Sequence, residues 1–469
     1  MGNGLASNAI HISKFRLNKV TLNITCNNAG VLFGIMLLLR MSRNRVFNNV
    51  KWVVICKTVQ SVTQLVIGML TARYLGPDNY GLINYAKSVI AFAVPFMRLG
   101  LDITLTKELV DNPEQQDRVM GTALAMEMVS SLVCLGAVTG FVSVFNRGEP
   151  QTIAVCVLYG ISMFFQAVEL IQHWFHSNLK SKYPSVAALI SYGVVSAIKV
   201  YFLASAKSVY WFAIIYSVEY GIIGFLLLIQ YFRKEKRTLG FSFPLAKQMF
   251  SRGRYYIWAA LMVSMFQNTD HVMLKLMVGN DENGYYTAAI TAVGVVQFIY
   301  MAIIDSVRVV ILENKKTDEE AYRRNLSGLY GLVTYMSVMQ SVAFVVLAKL
   351  IIKVLYGSEY IAAVPILRLL VWYVAFSYMG VIRNIWILAE EKQSILWKIN
   401  LMGALLNALI NALLIPIWGA CGAAMASLLT QIFTNFVLGF IYKPLKENNR
   451  LMLAGMHPSA VIAALKSII

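Results

Sequence analysis

The sequence predicts an all-α polytopic membrane protein of about twelve transmembrane helices, in two six-helix lobes related by a parallel pseudo-two-fold repeat. Three observations carry this. The chain is 58% hydrophobic and only 14% charged over 469 residues, where a soluble domain carries about 25% charged residues. Its apolar residues come in runs of about 20, the length of a helix that crosses a bilayer core, without the alternation of a barrel strand. A turn also recurs. Gly76-Pro77-Asp78-Asn79-Tyr80-Gly81 is echoed by Gly279-Asn280-Asp281-Glu282-Asn283-Gly284 at a displacement of 203 residues, which also sets Ala86 over Ala289 and Asp102 over Asp305. Gly76, Gly81, Gly279 and Gly284 are read as hairpin turns, because glycine accepts positive φ and close backbone approach.

The net charge of +18 raises nucleic acid as a partner, but the basic residues sit at span ends on alternate connections, the positive-inside pattern. No nucleic acid is expected. Cys26, Cys56, Cys134, Cys156 and Cys421 are scattered, with no CxxC and no disulfide framework.

In order along the chain, residues 1–41 form an N-terminal extension whose apolar run, Val31–Leu39, is too short to span. Met41-Ser42-Arg43 reads like a natural start, and translation is expected to begin at or near Met41. Spans are expected at 50–71, 82–101, 120–144, 151–172, 185–205, 208–231, 254–277, 285–308, 326–348, 362–382, 394–415 and 419–442. The first lobe is then 42–231 and the second 254–442. Between them, 232–253 is a basic linker, with Arg233, Lys234, Lys236, Arg237, Lys247 and Arg252 against Glu235. Pro244 suits the start of a short interfacial helix there. A tail of 443–469 follows. The basic connections place both termini in the cytoplasm.

Ionisable groups inside spans are costly and face a bundle interior or a wet cavity. Span one carries Lys57, Gln60 and Gln64. Span two carries Lys87, Arg98 and Asp102, with Pro95 as a kink. Glu127 lies in span three. Ser162, Gln166, Glu169 and His173 share one face of span four. Tyr192 and Lys199 lie in span five, Tyr216 and Glu219 in span six. Span seven carries Asp270, His271 and Lys275, and span eleven an Asn400, Asn407 and Asn411 face. Lys57, Lys87 and Lys199 are read as the cationic wall of a central lumen, with Gln60, Gln166, Tyr192 and Tyr216 as its polar and aromatic wall. Glu127, Glu169, Glu219 and Asp270 are candidates for ion coupling, since a buried carboxylate can take and release a proton. Each also has a bland alternative as a partner of a nearby lysine. For the asparagine face, Arg98 with Asp102, and Asp305 with Arg308, interhelical glue or mutual pairing is the better reading. No Walker A loop, HExxH, metal cluster or GxSxG occurs, so no catalytic residue, metal or cofactor is expected and the chain is read as no enzyme.

The stretch Ala72-Arg73-Tyr74-Leu75-Gly76-Pro77-Asp78-Asn79-Tyr80-Gly81 resembles a signature of the polysaccharide-transport family. These are the Wzx-type O-antigen and capsule repeat-unit flippases of the multidrug/oligosaccharidyl-lipid/polysaccharide exporter superfamily. Arg98-Leu99-Gly100-Leu101-Asp102, Trp174 to Tyr183, Asp270 to Leu276, Gly284 to Ala289, Leu355 to Arg368 and Asn407 to Gly422 match in order. His176 stands where a glutamine is common. The resemblance covers about residues 42–445. It implies two six-helix lobes around a cationic lumen, moving an undecaprenyl-pyrophosphate-linked oligosaccharide across the bacterial cytoplasmic (inner) membrane by ion-coupled antiport. Lipid-linked oligosaccharide and membrane lipids are the implied partners, with a polysaccharide polymerase and a chain-length regulator beside them, and the protein itself a monomer. A multidrug exporter of the same superfamily is the alternative, weakened by the intramembrane lysines. A membrane-embedded polymerase is weakened by the lack of a large loop. The lipid-linked peptidoglycan-precursor flippase typically has fourteen spans.

Overall fold

A computed structural model describes residues 45–457, with side chains from Gln60 onward except Val62. Residues 1–44, the Met41 start and the Lys57 side chain lie outside the described residues. The chain divides into two compact units, residues 1–51 and 52–469; apart from residues 45–51, the architecture below lies in the second.

The described residues form helices and no strand. They are α1 (Arg45–Arg98), α2 (Leu101–Asp111), α3 (Gln116–Phe145), α4 (Pro150–Gly160), α5 (Ser162–Glu169), α6 (Gln172–Ser177), α7 (Lys182–Ala204) and α8 (Val209–Ile229). After the linker come α9 (Phe243–Met277), α10 (Asn280–Gly294), α11 (Gln297–Thr317), α12 (Glu319–Tyr356), α13 (Ala363–Ala389), α14 (Leu396–Ile432), α15 (Leu438–Ile441) and α16 (Lys446–Gly455).

Among the described residues eight helical segments are long and apolar enough to cross a membrane, nine if α10 and α11, bent by 44°, make one span. Two of the eight, Thr63–Asp111 and Gln393–Ile441, run 49 residues, about 70 Å of helix and over twice a bilayer core. Each is broken at a glycine with positive φ: Gly76 (φ 69, ψ 173) and Gly419 (φ 54, ψ −133). Pro77 restarts the helix after Gly76, where its missing N–H is no loss. Gly279, the counterpart of Gly76, caps α10 at φ 120.

The helices are apolar on the outside. On α14, Leu405, Leu409 and Leu413 are each about 60% exposed while Asn407 and Asn411 on the opposite face are buried. A soluble helix has the reverse arrangement; here hydrocarbon is the solvent and the polar groups face protein. The buried core divides as well. Two apolar clusters are drawn from Leu75 to Met249, around Trp174 and Phe175 in one and Tyr85 and Met97 in the other. A third runs from Leu274 to Met452 around Trp386 and takes in Ala72 and Tyr80.

Three elements differ from the sequence reading. Span eight, expected over 285–308, is bent by 44° between α10 and α11. The helix that opens at Pro244 does not end as a short interfacial piece: α9 runs unbroken for 35 residues through span seven. No glycine with positive φ and no proline interrupts it. Span four, expected as one helix, is three, α4 to α6. At its junctions the backbone bonds tighten, as in Phe164 N–H to Ile161 O (3.1 Å) and His173 N–H to Leu170 O (3.0 Å), which are i to i−3 bonds and wind the chain more tightly than an α-helix.

Candidate functional site: charged clusters between packed helices

The structure brings Lys87, Lys199 and Glu219 together from three helices, α1, α7 and α8, each within electrostatic reach of the other two. Lys87 is exposed; Lys199 and Glu219 are half-buried. Neither lysine forms an ion pair among the described residues. Tyr192 is buried and senses Glu219. Tyr216 packs against Tyr159 with ring centroids 4.8 Å apart and planes tilted by 36°, its hydroxyl 3.4 Å from that of Tyr220. Gln60, Glu169, Glu219 and Tyr220 line a cavity of about 260 Å³. Gln166 is buried and its amide donates to Ser162 at 3.2 Å, one turn back on α5.

A second cluster gathers around Arg98. Its guanidinium meets Asp102 at 2.9 Å and Glu169 at 3.7 Å. His173 Nε2 is 3.6 Å from Asp102, and His173 Nδ1 is 3.1 Å from the Thr106 hydroxyl. Glu127 is fully buried, and neither carboxyl oxygen has a hydrogen-bond partner among the described residues. It lies in electrostatic reach of Arg98 and Glu169. Arg98 and Asp102 thus do pair, as expected, but within a larger network, and Asp305 pairs with Arg308 at 4.0 Å.

In the second lobe, Asp270 of α9 accepts hydrogen bonds from Tyr286 (2.6 Å), Asn411 and Ser427. Asn411 also donates to Asn407 at 3.0 Å. The Asn411 side-chain oxygen and the Thr430 hydroxyl are buried with no partner among the described residues. His271 links this cluster to the first: it senses both Asp270 and Lys87, and its Nδ1 is 2.7 Å from Asn283. No group of three or more His, Cys, Asp or Glu that could hold a metal is found among the described residues.

The lobes meet at two ends. At the hairpin end, Asn283 donates to the Gly81 carbonyl at 2.7 Å and Asn280 to Asp78 at 3.0 Å. Tyr360 donates to the Ala72 carbonyl at 2.8 Å. Lys275, buried on α9, pairs with Glu149 at the start of α4. Burial alone would raise the Glu149 carboxyl, but hydrogen bonds from Lys275 and Thr152 hold it below the usual carboxylate range. At the linker end, a Cβ on Gly100 would stand 2.2 Å from the Gly253 carbonyl oxygen, and Arg252 pairs with Glu108. Sequence reasoning missed the Lys275–Glu149 pair, whose partners lie 126 residues apart.

It also missed Arg383. Placed just past the expected end of span ten, it lies well inside α13 and is 6% exposed. The only available signal was its company of Ser377 and Asn384 on an apolar helix.

An inside-out helical bundle of two apposed lobes, with charge clusters at depth, is the architecture of a polytopic membrane protein. It is similar in structure to "Lipid II flippase MurJ, inward closed conformation" (TM-score 0.68, 15% identity, 86% of this chain and 90% of that one). It is also similar to an inward-facing multidrug resistance MATE family transporter of the MOP superfamily (TM-score 0.61, 11% identity, 83% of this chain and 96% of that one). Among curated proteins it is 20% identical over 282 residues to the "Teichuronic acid biosynthesis protein TuaB" of Bacillus subtilis (strain 168), 59% of this chain. The match spans 58% of that relative's length. The polysaccharide biosynthesis protein family profile matches residues 70–365, more than half of the chain, and the protein belongs to that family.

Proposed function

We propose that the protein is a flippase that carries lipid-linked oligosaccharide repeat units, joined to undecaprenyl through pyrophosphate, from the cytoplasmic to the outer leaflet of a bacterial inner membrane. The repeat unit is destined for O-antigen, capsule or another surface polysaccharide. Transport runs by alternating access and is driven by ion antiport. Both termini lie in the cytoplasm, where the basic linker faces. The observation that carries this reading is the pair Lys87 and Lys199, from two helices, both in electrostatic reach of the Glu219 carboxylate. Within this trio two cations meet one anion, a local excess of positive charge that attracts a diphosphate. Tyrosines and amides around them suit a sugar. The lipid chain stays in the bilayer. Asp270, with its three donors and its electrostatic link through His271 to Lys87, is the group we assign to ion coupling; Glu127, Glu169 and Glu219 are its competitors.

The test is transport of a fluorescent polyprenyl-pyrophosphate oligosaccharide by purified protein in sealed liposomes, with and without a pH or sodium gradient. Gradient-stimulated transport by wild type, lost in Lys87→Ala and Lys199→Ala that remain folded, supports the reading. Transport of cationic drugs with none of the lipid-linked sugar would replace it by an exporter reading.

A further inference from the structure

The second lobe holds a basic group that the lysine site does not use. Arg383 sits six residues from the C-terminal end of α13, and its Nη1 donates to the Thr434 carbonyl and the Asn435 side-chain oxygen, both at 2.8 Å. Both acceptors are neutral. Arg383 forms no ion pair among the described residues, and its Nε is buried with no partner. A guanidinium has five N–H donors, so this one is under-used at a depth where an unpaired charge is expensive.

What faces it is a cavity of about 170 Å³, several times the ~30 Å³ share of one water. Ser377, Asn384 and Asn400 line it, none with a side-chain hydrogen bond among the described residues, and no acidic residue lines it. The wall is deliberately tight. A Cβ on Gly380 would stand 2.7 Å from the Asn435 oxygen, so only glycine lets Asn435 reach the arginine. Across the cavity, the segment Phe433–Val437 is a π-helix. Such a bulge leaves carbonyls out of the α-helical ladder, and the Thr434 carbonyl is the one Arg383 takes. A structural arginine would be completed by a carboxylate or packed shut. This one is held by two bonds from a single nitrogen, Nη1, with Nε unsatisfied among the described residues and neutral hydroxyl and amide groups around the cavity.

We propose that this pocket is an oxyanion site, in which Arg383 with Ser377, Asn384 and Asn400 binds a phosphate or carboxylate group. Binding of the anion stands without the transport reading; that the anion belongs to the cargo, as its pyrophosphate or as an acidic sugar, rests on it.

The test is thermal unfolding of the purified full chain in nanodiscs, followed by tryptophan fluorescence. It is titrated at constant ionic strength with sodium pyrophosphate, sodium glucuronate or uncharged glucose. Wild type is expected to be stabilised by pyrophosphate, glucuronate or both, and not by glucose; which anion acts tells phosphate from acidic sugar. Arg383→Gln should weaken the apparent affinity about tenfold or more, the loss of a charge-assisted hydrogen bond, and Arg383→Lys less. Lys353→Ala, exposed on α12 and outside both basic sites, should keep the response. No response of wild type to either anion, or a response unchanged in Arg383→Gln, overturns the proposal. If Arg383→Gln does not fold, Arg383→Lys and Asn400→Ala decide, and an unchanged response in both overturns it. Anion binding with no liposome transport would sink the flippase reading and leave this site standing.

Discussion

Gly81 and Gly284, equivalent positions of the two hairpin turns, lie against each other where the lobes meet. A Cβ on Gly81 would stand 1.9 Å from the Asn280 carbonyl oxygen and 2.7 Å from the Gly284 nitrogen. One on Gly284 would stand 2.1 Å from the Pro77 carbonyl oxygen. Real Cβ contacts do not approach so closely, so a methyl group here must push backbone from backbone. Gly81→Ala should therefore part the lobes at the hairpin end, at a cost of about 1–3 kcal/mol to the closed arrangement. Spin labels at Tyr210 and Glu359 should report longer distances in the variant; an unchanged distribution would mean that the turns yield locally.

The same turns bring Asp281 toward Asp78. Burial, and then the Asp78 charge, raise the Asp281 carboxyl above its usual value. A raised carboxyl favours the state in which it is protonated. Closure at the hairpin end should strengthen as pH falls through the folded pKa of Asp281 and weaken as pH rises through it. Asp281→Asn should flatten that dependence in the same distance measurement.

Glu149 has the opposite sign. Its carboxyl is held low by Lys275 and Thr152, so its contribution is present above the unfolded carboxylate value and is lost as pH falls through the lower folded one. Glu149→Gln leaves the buried Lys275 ammonium without its anion. A loss of about 1–3 kcal/mol is expected, read as a lower midpoint of thermal unfolding at pH 7 and a smaller difference from wild type at pH 3.

In the lysine site, Lys87→Ala and Lys199→Ala should each cut transport about tenfold or more, by removing a charge-assisted contact to phosphate. Glu219→Gln leaves both lysines without the nearby carboxylate. If the site grips the diphosphate, that variant binds cargo more tightly and releases it more slowly, lowering KM and kcat together. A variant with unaltered KM would make Glu219 only a structural partner.

Asp270→Asn removes the charge that Tyr286, Asn411 and Ser427 address. Thermal stability should fall by about 2–3 kcal/mol. If Asp270 carries the coupling ion, downhill movement of lipid-linked sugar persists while its dependence on the ion gradient disappears. Gradient dependence that survives the substitution would move the coupling role to Glu127, Glu169 or Glu219.

The fold was legible because a bilayer imposes blunt rules: apolar runs of one length, charges on alternate connections, glycine at reversals. Lys87, Lys199 and Glu219 were visible as single charges on apolar helices, and three-dimensional proximity added only that they share a space. What escaped depended on register and distance. Arg383 looked like the end of a span because one residue of boundary error separates a snorkelling arginine from a buried one. Lys275 and Glu149 belong to different lobes, and nothing local ties a lysine near the end of one helix to a carboxylate before another. The breaks in span four have no proline to announce them, and the continuity of α9 across Pro244 follows from proline's tolerance in a first turn.

The contact between the hairpins is reciprocal. Gly81 meets residue 280 and Gly284 meets residue 77, and a displacement of 203 residues turns each contact into the other. That is the rule of an isologous dimer, in which residue i touches j while j touches i. The lobes are joined as two subunits would be, and a half-length chain with one such turn would carry both sides of this contact. A tandem fusion of that kind keeps the symmetric seam while freeing each half to diverge alone. The two interiors differ: Lys87, Lys199 and Glu219 beside the Arg98 network in one half, Arg383 apart from the Asp270 cluster and Lys275 in the other.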